Sequence, residues 1–300
     1  MDSREALVSI GLPVRNGAET LRSVAKSVLE QDHERLELII SDNASTDGTE
    51  ELCRELAARD DRVVYHRQSS NVGLLPNFIQ TMQLAKGSYF RWVGDDDWLA
   101  PTYVSRCLEE FAEDDRLILV TTRLNYVNAD GTSLASPQTA ELLSSEDPLD
   151  RFERYIHYLV EGDLPVDPLY GLARRTSLLP ISRRNMIRED EVFAGMLALA
   201  GPWGHVPEIL GTRHLGNLGL RGLTRLLGVP VWQAYVPTTV QCWALLRGIR
   251  NAGLTRSQRR RARAAVGRLF VLRHYRRMLR GRQKLSRALA GFGTRAAADK

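Results

Sequence analysis

Short apolar runs alternate with amphipathic stretches along the N-terminal two thirds of the chain. Ala6–Leu12 is mostly apolar and stops at Pro13; Leu36–Ile40, Val63–Tyr65, Ser88–Val93 and Leu117–Thr121 repeat the pattern. Runs of this kind between turn signals predict short buried strands. Between them, residues 18–31 place Leu21, Val24, Ala25 and Val28 at helical spacing, and Thr46-Asp-Gly-Thr opens a helix reaching Arg59. Pro76–Ala85 and the stretch from Pro101 read as two more helices, each with proline in its first turn, where a missing N–H costs nothing. Strands and helices in this rhythm predict βαβ units around a mostly parallel sheet. Such sheets bind ligands beyond the carboxyl ends of their strands, so the loops after the strands are where chemistry is expected.

Three of those loops are polar. They read Pro13-Val14-Arg-Asn16-Gly after the first strand, Ser41-Asp42-Asn43-Ala-Ser-Thr-Asp47-Gly after the second, and Gly94-Asp95-Asp96-Asp97-Trp98 after the fourth. Turn and helix-cap duties account for the second loop taken alone, since Asp, Asn and Ser all cap helices. The aspartate run asks for more. Three adjacent carboxylates at the end of a buried strand repel one another and lose hydration, a cost that a bound cation relieves. Carboxylate oxygens suit a hard ion such as Mg²⁺ or Mn²⁺, shared with substrate phosphates; the competing reading is an acidic solvated turn ahead of the Pro101 helix.

Taken in order, VSIGLPVRNGAETL, LELIISDNASTDGTEEL, NVGLLPNF and GSYFRWVGDDDWLAP resemble the successive motifs of family 2 glycosyltransferases. A fifth element, Arg188-Glu189-Asp190-Glu191 with ALAGPWGHVPEIL after it, is similar to the family's "ED" segment, and the match spans residues 6–214. The resemblance implies a GT-A fold: α/β, Rossmann-like, with a mostly parallel central sheet flanked by helices. It further implies transfer of a sugar from a nucleotide diphosphate sugar to an acceptor hydroxyl, with inversion at the anomeric carbon, in the making of a polysaccharide, glycolipid or other glycoconjugate.

Carried over residue by residue, the resemblance puts Pro13, Val14 and Asn16 against the nucleotide base and ribose. Asp42 and Asn43 match an acidic pair that hydrogen-bonds the nucleoside, with Asn43 where aspartate is commoner. Asn71 and Gly73 fall beside the nucleotide, and Asn77 stands where many members carry arginine. Asp96 falls on the metal-binding aspartate, Asp97 supports the metal site, and Asp95 replaces the usual first aspartate, whose position Gly94 occupies. Mn²⁺ or Mg²⁺ is the implied cofactor. Asp190, 17 residues before Pro207, matches the general base. Arg213-His214 sits where relatives often carry an arginine–histidine element near the diphosphate. The alternative to an enzyme is a catalytically inactive GT-A-like scaffold; retention of both Asp96 and Asp190 argues against it. Tyr155, His157, Tyr158, Tyr170 and Trp203 read equally as core or as sugar-stacking aromatics, and residues 120–188 name no acceptor.

Charge divides the chain. Residues 209–300 hold 20 of the 41 Lys and Arg against the single acid Asp299, while residues 1–208 carry 35 acids against 21 bases. This separates an expected catalytic part, 1–215, from a helical, arginine-rich C-terminal part, 216–300, whose basic extension should meet something anionic. Within Thr255–Arg287, Val266, Leu269, Phe270 and Leu272 lie beside Arg273, Arg276, Arg277 and Arg280. That pattern is expected to lie on an anionic membrane surface or, alternatively, to pack on the acidic catalytic part; nucleic acid is a weaker third option without a recognised module. Three cysteines without CxxC spacing, no secretory-type N-terminus and no apolar run of spanning length point to the cytosolic side, with the tail a candidate for peripheral membrane contact.

Overall fold

The computed structural model describes residues 5–136, 143–161, 167–216 and 218–298, with side chains as far as residue 279 except 277. The expected strands are all present: β1 (Val8–Val14), β2 (Leu36–Asp42), β3 (Val63–Arg67), β4 (Tyr89–Trp92) and β6 (Leu119–Asn128). β1 and β2 are buried at all seven positions, which is why their sequences read as apolar runs rather than as alternation. Between them run α1 (Leu21–Leu29), α2 (Thr49–Arg59), α3 (Leu74–Leu84) and α4 (Tyr103–Glu113). Four strands had no clear sequence signal: β5 (Trp98–Leu99), β7 (Ser133–Ala135), β8 (Leu172–Arg174) and β9 (Trp203–Leu215).

The sheet runs in the order β3-β2-β1-β4-β8-β6-β9-β5, with β7 hydrogen-bonded to β6. β3, β2, β1 and β4 are mutually parallel, β8 is antiparallel to both its neighbours, and β6 and β9 are parallel. Alternate residues of β2 face opposite cores. Leu38 and Ile40 pack with α1 and α4, and Ile39 packs with α3, α5 (Pro148–Glu161) and α7 (Glu189–Ala200), the one-turn α6 (Arg175–Leu178) lying between α5 and α7 in the chain. The three cysteines are buried and free of disulfides.

Beyond β9 come α8 (Leu220–Leu227), a short 3-10 turn at Val231–Ala234, α9 (Pro237–Asn251) and α10 (Arg256–Ala298). Among the described residues no helix is long and apolar enough to cross a membrane. Of the two placements expected for the tail, packing on the rest of the chain is the one seen for its first part. Val266 and Leu269, the side chains expected to enter a bilayer, are 1% and 0% exposed; with Ala262 and Ala265 they form a core with Leu149, Phe152 and Ile156 of α5 and Leu245 and Ile249 of α9. Arg273 donates to the Leu159 carbonyl, to Gln241 Oε1 at 2.7 Å and to Glu191 Oε2 at 2.8 Å. Arg261 and Arg276 pair with Glu153 and Glu161 of α5. The first part of α10 is therefore a packed helix. Apolar contact outweighs the solvation a surface helix would keep, and the acids of α5 and α7 offset part of its charge. Phe270 and Leu272 remain exposed, while the side chains of Arg277 and of residues 280–287 lie outside the described residues.

Candidate active site

The site is assembled where β1, β2 and β4 end. β1 delivers Pro13 and Val14, both buried, and then turns through Asn16 at φ 58°. Gly17 follows against the aspartate turn, where a Cβ would come 2.6 Å from Val14 Cγ2 and 3.1 Å from Asp95 Oδ2, so no side chain fits between the first and third loops. Asn16 ties the first loop to the second: its Oδ1 accepts from Thr46 N–H at 2.9 Å, and its own N–H donates to Ser45 Oγ at 2.9 Å. Among the described residues the non-glycine positions with positive φ are Asn16, Ala44 and Arg188, and all three lie in loops of this site. Left-handed backbone is unfavourable for such residues and persists where surrounding contacts impose it.

Asp42 and Asn43 occupy the second loop differently from expectation. Asp42 is fully buried; its Oδ1 accepts from Ser45 N–H at 2.8 Å and its Oδ2 from Tyr65 Oη–H at 3.1 Å. Asn43 donates to Asn71 Oδ1 and to the Gly73 carbonyl, and accepts from Val72 N–H at 2.8 Å. Asn71 in turn accepts from the N–H of Gly73, whose φ of 93° requires glycine. Asn77 is also buried and joins the strands, accepting from Ser41 Oγ and donating to the Ser41 carbonyl. The side chains of Asp42 and Asn43, expected to read the nucleoside, thus also shape the loop that would hold it. What remains open to a ligand is the rim formed by exposed Arg15, Asn16, Asn71 and Val72.

The three aspartates after β4 take three separate roles. Asp97, expected to support a metal, is 3% exposed and turned inward; its Oδ2 accepts from Gly94 N–H at 2.9 Å and lies 3.5 Å from Arg213 Nε, and its buried Oδ1 has no partner among the described residues. Asp96 is exposed, with its main-chain carbonyl 2.6 Å from His214 Nδ1. Asp95 is half-buried. Burial, with Asp96 and Asp97 beside it, pushes the Asp95 carboxyl up to about 6; burial and Asp97 raise Asp96, opposed by His214 and Arg213. Crowded carboxylates of this kind fit a cation. Among the described residues no third His, Cys, Asp or Glu converges on them, so an ion here would complete its oxygen shell from diphosphate and water, as Mg²⁺ and Mn²⁺ do.

Arg213 joins this turn to the second half of the site. Its guanidinium pairs with Asp97 and Asp167 and stacks on Tyr170, 3.5 Å from the ring centroid. Neither Asp167 nor Tyr170 carried a motif. Asp167 lies just before a 3-10 turn at Pro168–Tyr170, brought beneath β9 by tertiary packing alone. Tyr170 then lines a cavity of about 180 Å³ with Leu75, Phe78, Met186, Arg188, Asp190 and Leu223.

α7 begins at this cavity with three acids, and packing separates them. Glu189 is buried and forms a two-pronged bond with Arg183, at 2.7 and 2.6 Å. Glu191 is held by Arg188, Gln241 and Arg273; burial pushes its carboxyl up, to about 7. Asp190 is exposed, and its carboxylate has no hydrogen bond or ion pair among the described residues.

The acidic turn after β4 is thus joined through Arg213 and Tyr170 to the cavity that Asp190 lines. Residues 9–162 match the model of glycosyl transferase family 2, and the chain belongs to that family. It is 34% identical over 134 residues to a hyaluronan synthase of Pasteurella multocida, covering 45% of this chain and 14% of that relative, so it spans about a seventh of the synthase. Among solved structures it superposes on S. aureus TarS bound to UDP with a TM-score of 0.64 at 16% identity, covering 88% of this chain and 72% of that one. It also superposes on a mannosyltransferase of Pyrobaculum calidifontis bound to GDP-Man and Mn²⁺, with a TM-score of 0.53 at 16% identity, covering 90% and 83%. The neighbours share the GT-A fold, which is the fold of this chain.

Proposed function

We propose that this chain is an inverting, metal-dependent glycosyltransferase that moves a sugar from a nucleotide diphosphate sugar to an acceptor hydroxyl in glycoconjugate or polysaccharide synthesis. The observation that carries the reading is Asp190, free of internal partners, facing a pocket joined through Tyr170 and Arg213 to the Asp95–Asp97 turn. In this reading residues 1–215 bind the donor and carry the chemistry, and the helices after 216 hold α7. Membership of the family and neighbours bound to UDP and to GDP-Man with Mn²⁺ support a nucleotide-sugar donor. A scaffold without catalysis would leave both Asp96 and Asp190 without a task.

In the transfer, the acceptor oxygen forms a bond to the anomeric carbon as the bond to the diphosphate oxygen breaks on the opposite face. The electron pair leaves with the nucleotide diphosphate, and the acceptor proton passes to the Asp190 carboxylate. A cation held by Asp96 and Asp95 would neutralise charge on the departing phosphate. Arg213, kept protonated by Tyr170, Asp167 and Asp97 against the opposing effect of burial, adds fixed positive potential on the same side. Asp97 holds the turn through Gly94 N–H, with the Asp96 side chain exposed and Asp95 half-buried beside Gly17.

Calorimetric titration with UDP, GDP and dTDP, with and without Mn²⁺, tests the donor half of the reading. Asp96→Ala should abolish the metal-dependent tightening without unfolding the chain, because Asp96 is exposed. Metal-dependent affinity that survives the substitution would sink the assignment.

A further inference from the structure

The helices after β9 leave a surface that their own packing does not cover. Along α9 the outward positions Thr239, Trp243, Leu246, Arg247 and Arg250 recur at helical spacing and, like Val236 just before the helix, are all exposed, while Gln241, Cys242, Leu245 and Ile249 face inward. The stripe continues through Trp232, 56% exposed, and Tyr235; Trp243 is 57% exposed. α8 adds exposed Leu220 and Leu226 beside Arg221 and Arg225, and Arg221 donates to Tyr235 Oη at 2.9 Å, which ties α8 to the stripe. Arg247 lies over the Trp243 ring, 5.6 Å from its centroid. No Asp or Glu occurs between residues 209 and 298.

We propose that the outward faces of α8, the Val231–Ala234 turn and α9 dock on the surface of an anionic lipid bilayer. Tryptophan and tyrosine settle at the boundary of headgroup and acyl chain, because one end of each ring system is apolar and the other polar. Arginines interleaved with them meet lipid phosphates, and their attraction falls off within a Debye length. Leucines between the arginines add the apolar area that an interfacial helix buries. Charge decides among occupants. Self-association through this face would set arginine against arginine, whereas nucleic acid would satisfy the arginines but leave Leu220, Leu226 and Val231 in water. The other flank of α8 lines the Asp190 cavity through Leu223 and Leu227, so a bilayer held here lies one helix from the candidate base. The docking surface itself does not depend on the transfer reading.

Sedimentation of the full chain with vesicles of phosphatidylcholine, alone or mixed with phosphatidylglycerol, tests the proposal. The chain should pellet with the mixed vesicles and stay in solution with phosphatidylcholine alone, and added salt should release it. Trp232→Ser with Trp243→Ser, both at exposed positions, should lower vesicle affinity by tenfold or more with thermal stability and nucleotide binding retained. A control variant on α10, Val271→Ser with Tyr275→Ser, should bind as the parent does. The proposal is overturned if the parent fails to pellet, if the tryptophan variant pellets equally well, or if only the α10 variant loses binding. A parent that elutes as a dimer dissolved by the tryptophan substitutions, without vesicle binding, would also overturn it. Metal-dependent donor affinity that survives Asp96→Ala bears on the transfer reading alone, so the two can fail separately.

Discussion

Replacement of Asp190 by asparagine is expected to lower transfer by roughly 10²–10⁴-fold while leaving donor affinity unchanged. Asparagine keeps the size of the side chain and one carbonyl acceptor but cannot take the acceptor proton. The effect should be confined to turnover because Asp190 is exposed and free of internal partners, so little folding energy rests on its charge. Its neighbours are poor substitutes. Glu189 is locked to Arg183, and Glu191 is held by Gln241 and Arg273. Steady-state kinetics with a nucleotide sugar identified by the calorimetric screen, in parallel for Asp190→Asn and Glu191→Gln, provides the measurement. Near-normal transfer by the first variant with loss in the second would move the base to Glu191.

The second large effect is on stability and comes from a region that reads as a surface tail. Leu269→Ala removes a fully buried side chain from the core shared by α5, α9 and α10. A substitution of this kind costs ~2–5 kcal/mol, a sizeable part of the ~5–15 kcal/mol that holds a typical domain together. Deleting everything after residue 254 goes further. It uncovers Leu149, Phe152 and Ile156, and it takes Arg273 from Glu191 and from the Leu159 carbonyl. The truncated chain is expected to aggregate or to melt far below the full chain. Thermal denaturation of the two variants beside the parent checks this, and an unchanged midpoint for the truncated form would show that α10 is dispensable. The conservative Arg273→Lys should fall between, since lysine keeps the charge but not the planar fork that reaches three acceptors.

Much of the donor half was legible from residue pattern because its determinants are local. β1, β2 and β4 are buried on both faces, so their apolar runs could be read without knowledge of what covers them. The loops after them are short and begin where those runs end, which is why the Asp95–Asp97 turn could be placed at a strand terminus. β5, β7 and β8 escaped because strands of two or three residues have no period to detect. β9 escaped because its burial is irregular, with a shift in register against β6 between Thr122 and Leu124.

What the sequence by itself determined is the order of strands and helices, the acidic turn after β4, the family motifs and the concentration of positive charge after residue 208. Each is a property of neighbouring residues or of a running count. Only the tertiary structure decided how identical residue types divide their work. Asp97 turns inward to Gly94 and Arg213 while Asp96 faces out; Glu189 and Glu191 are engaged while Asp190 is free; Asp42 and Asn43 brace loops they were expected to serve as ligand contacts. It also decided that Val266 and Leu269 face protein, leaving Trp232 and Trp243 as the exposed aromatic surface. The physical reason is the same in each case. A side chain's role follows from which partner reaches it first in the packed molecule, and Arg213, Arg273 and Phe152 lie far along the chain from the residues they hold, while Arg183 reaches Glu189 from six residues away only because the intervening turn folds back.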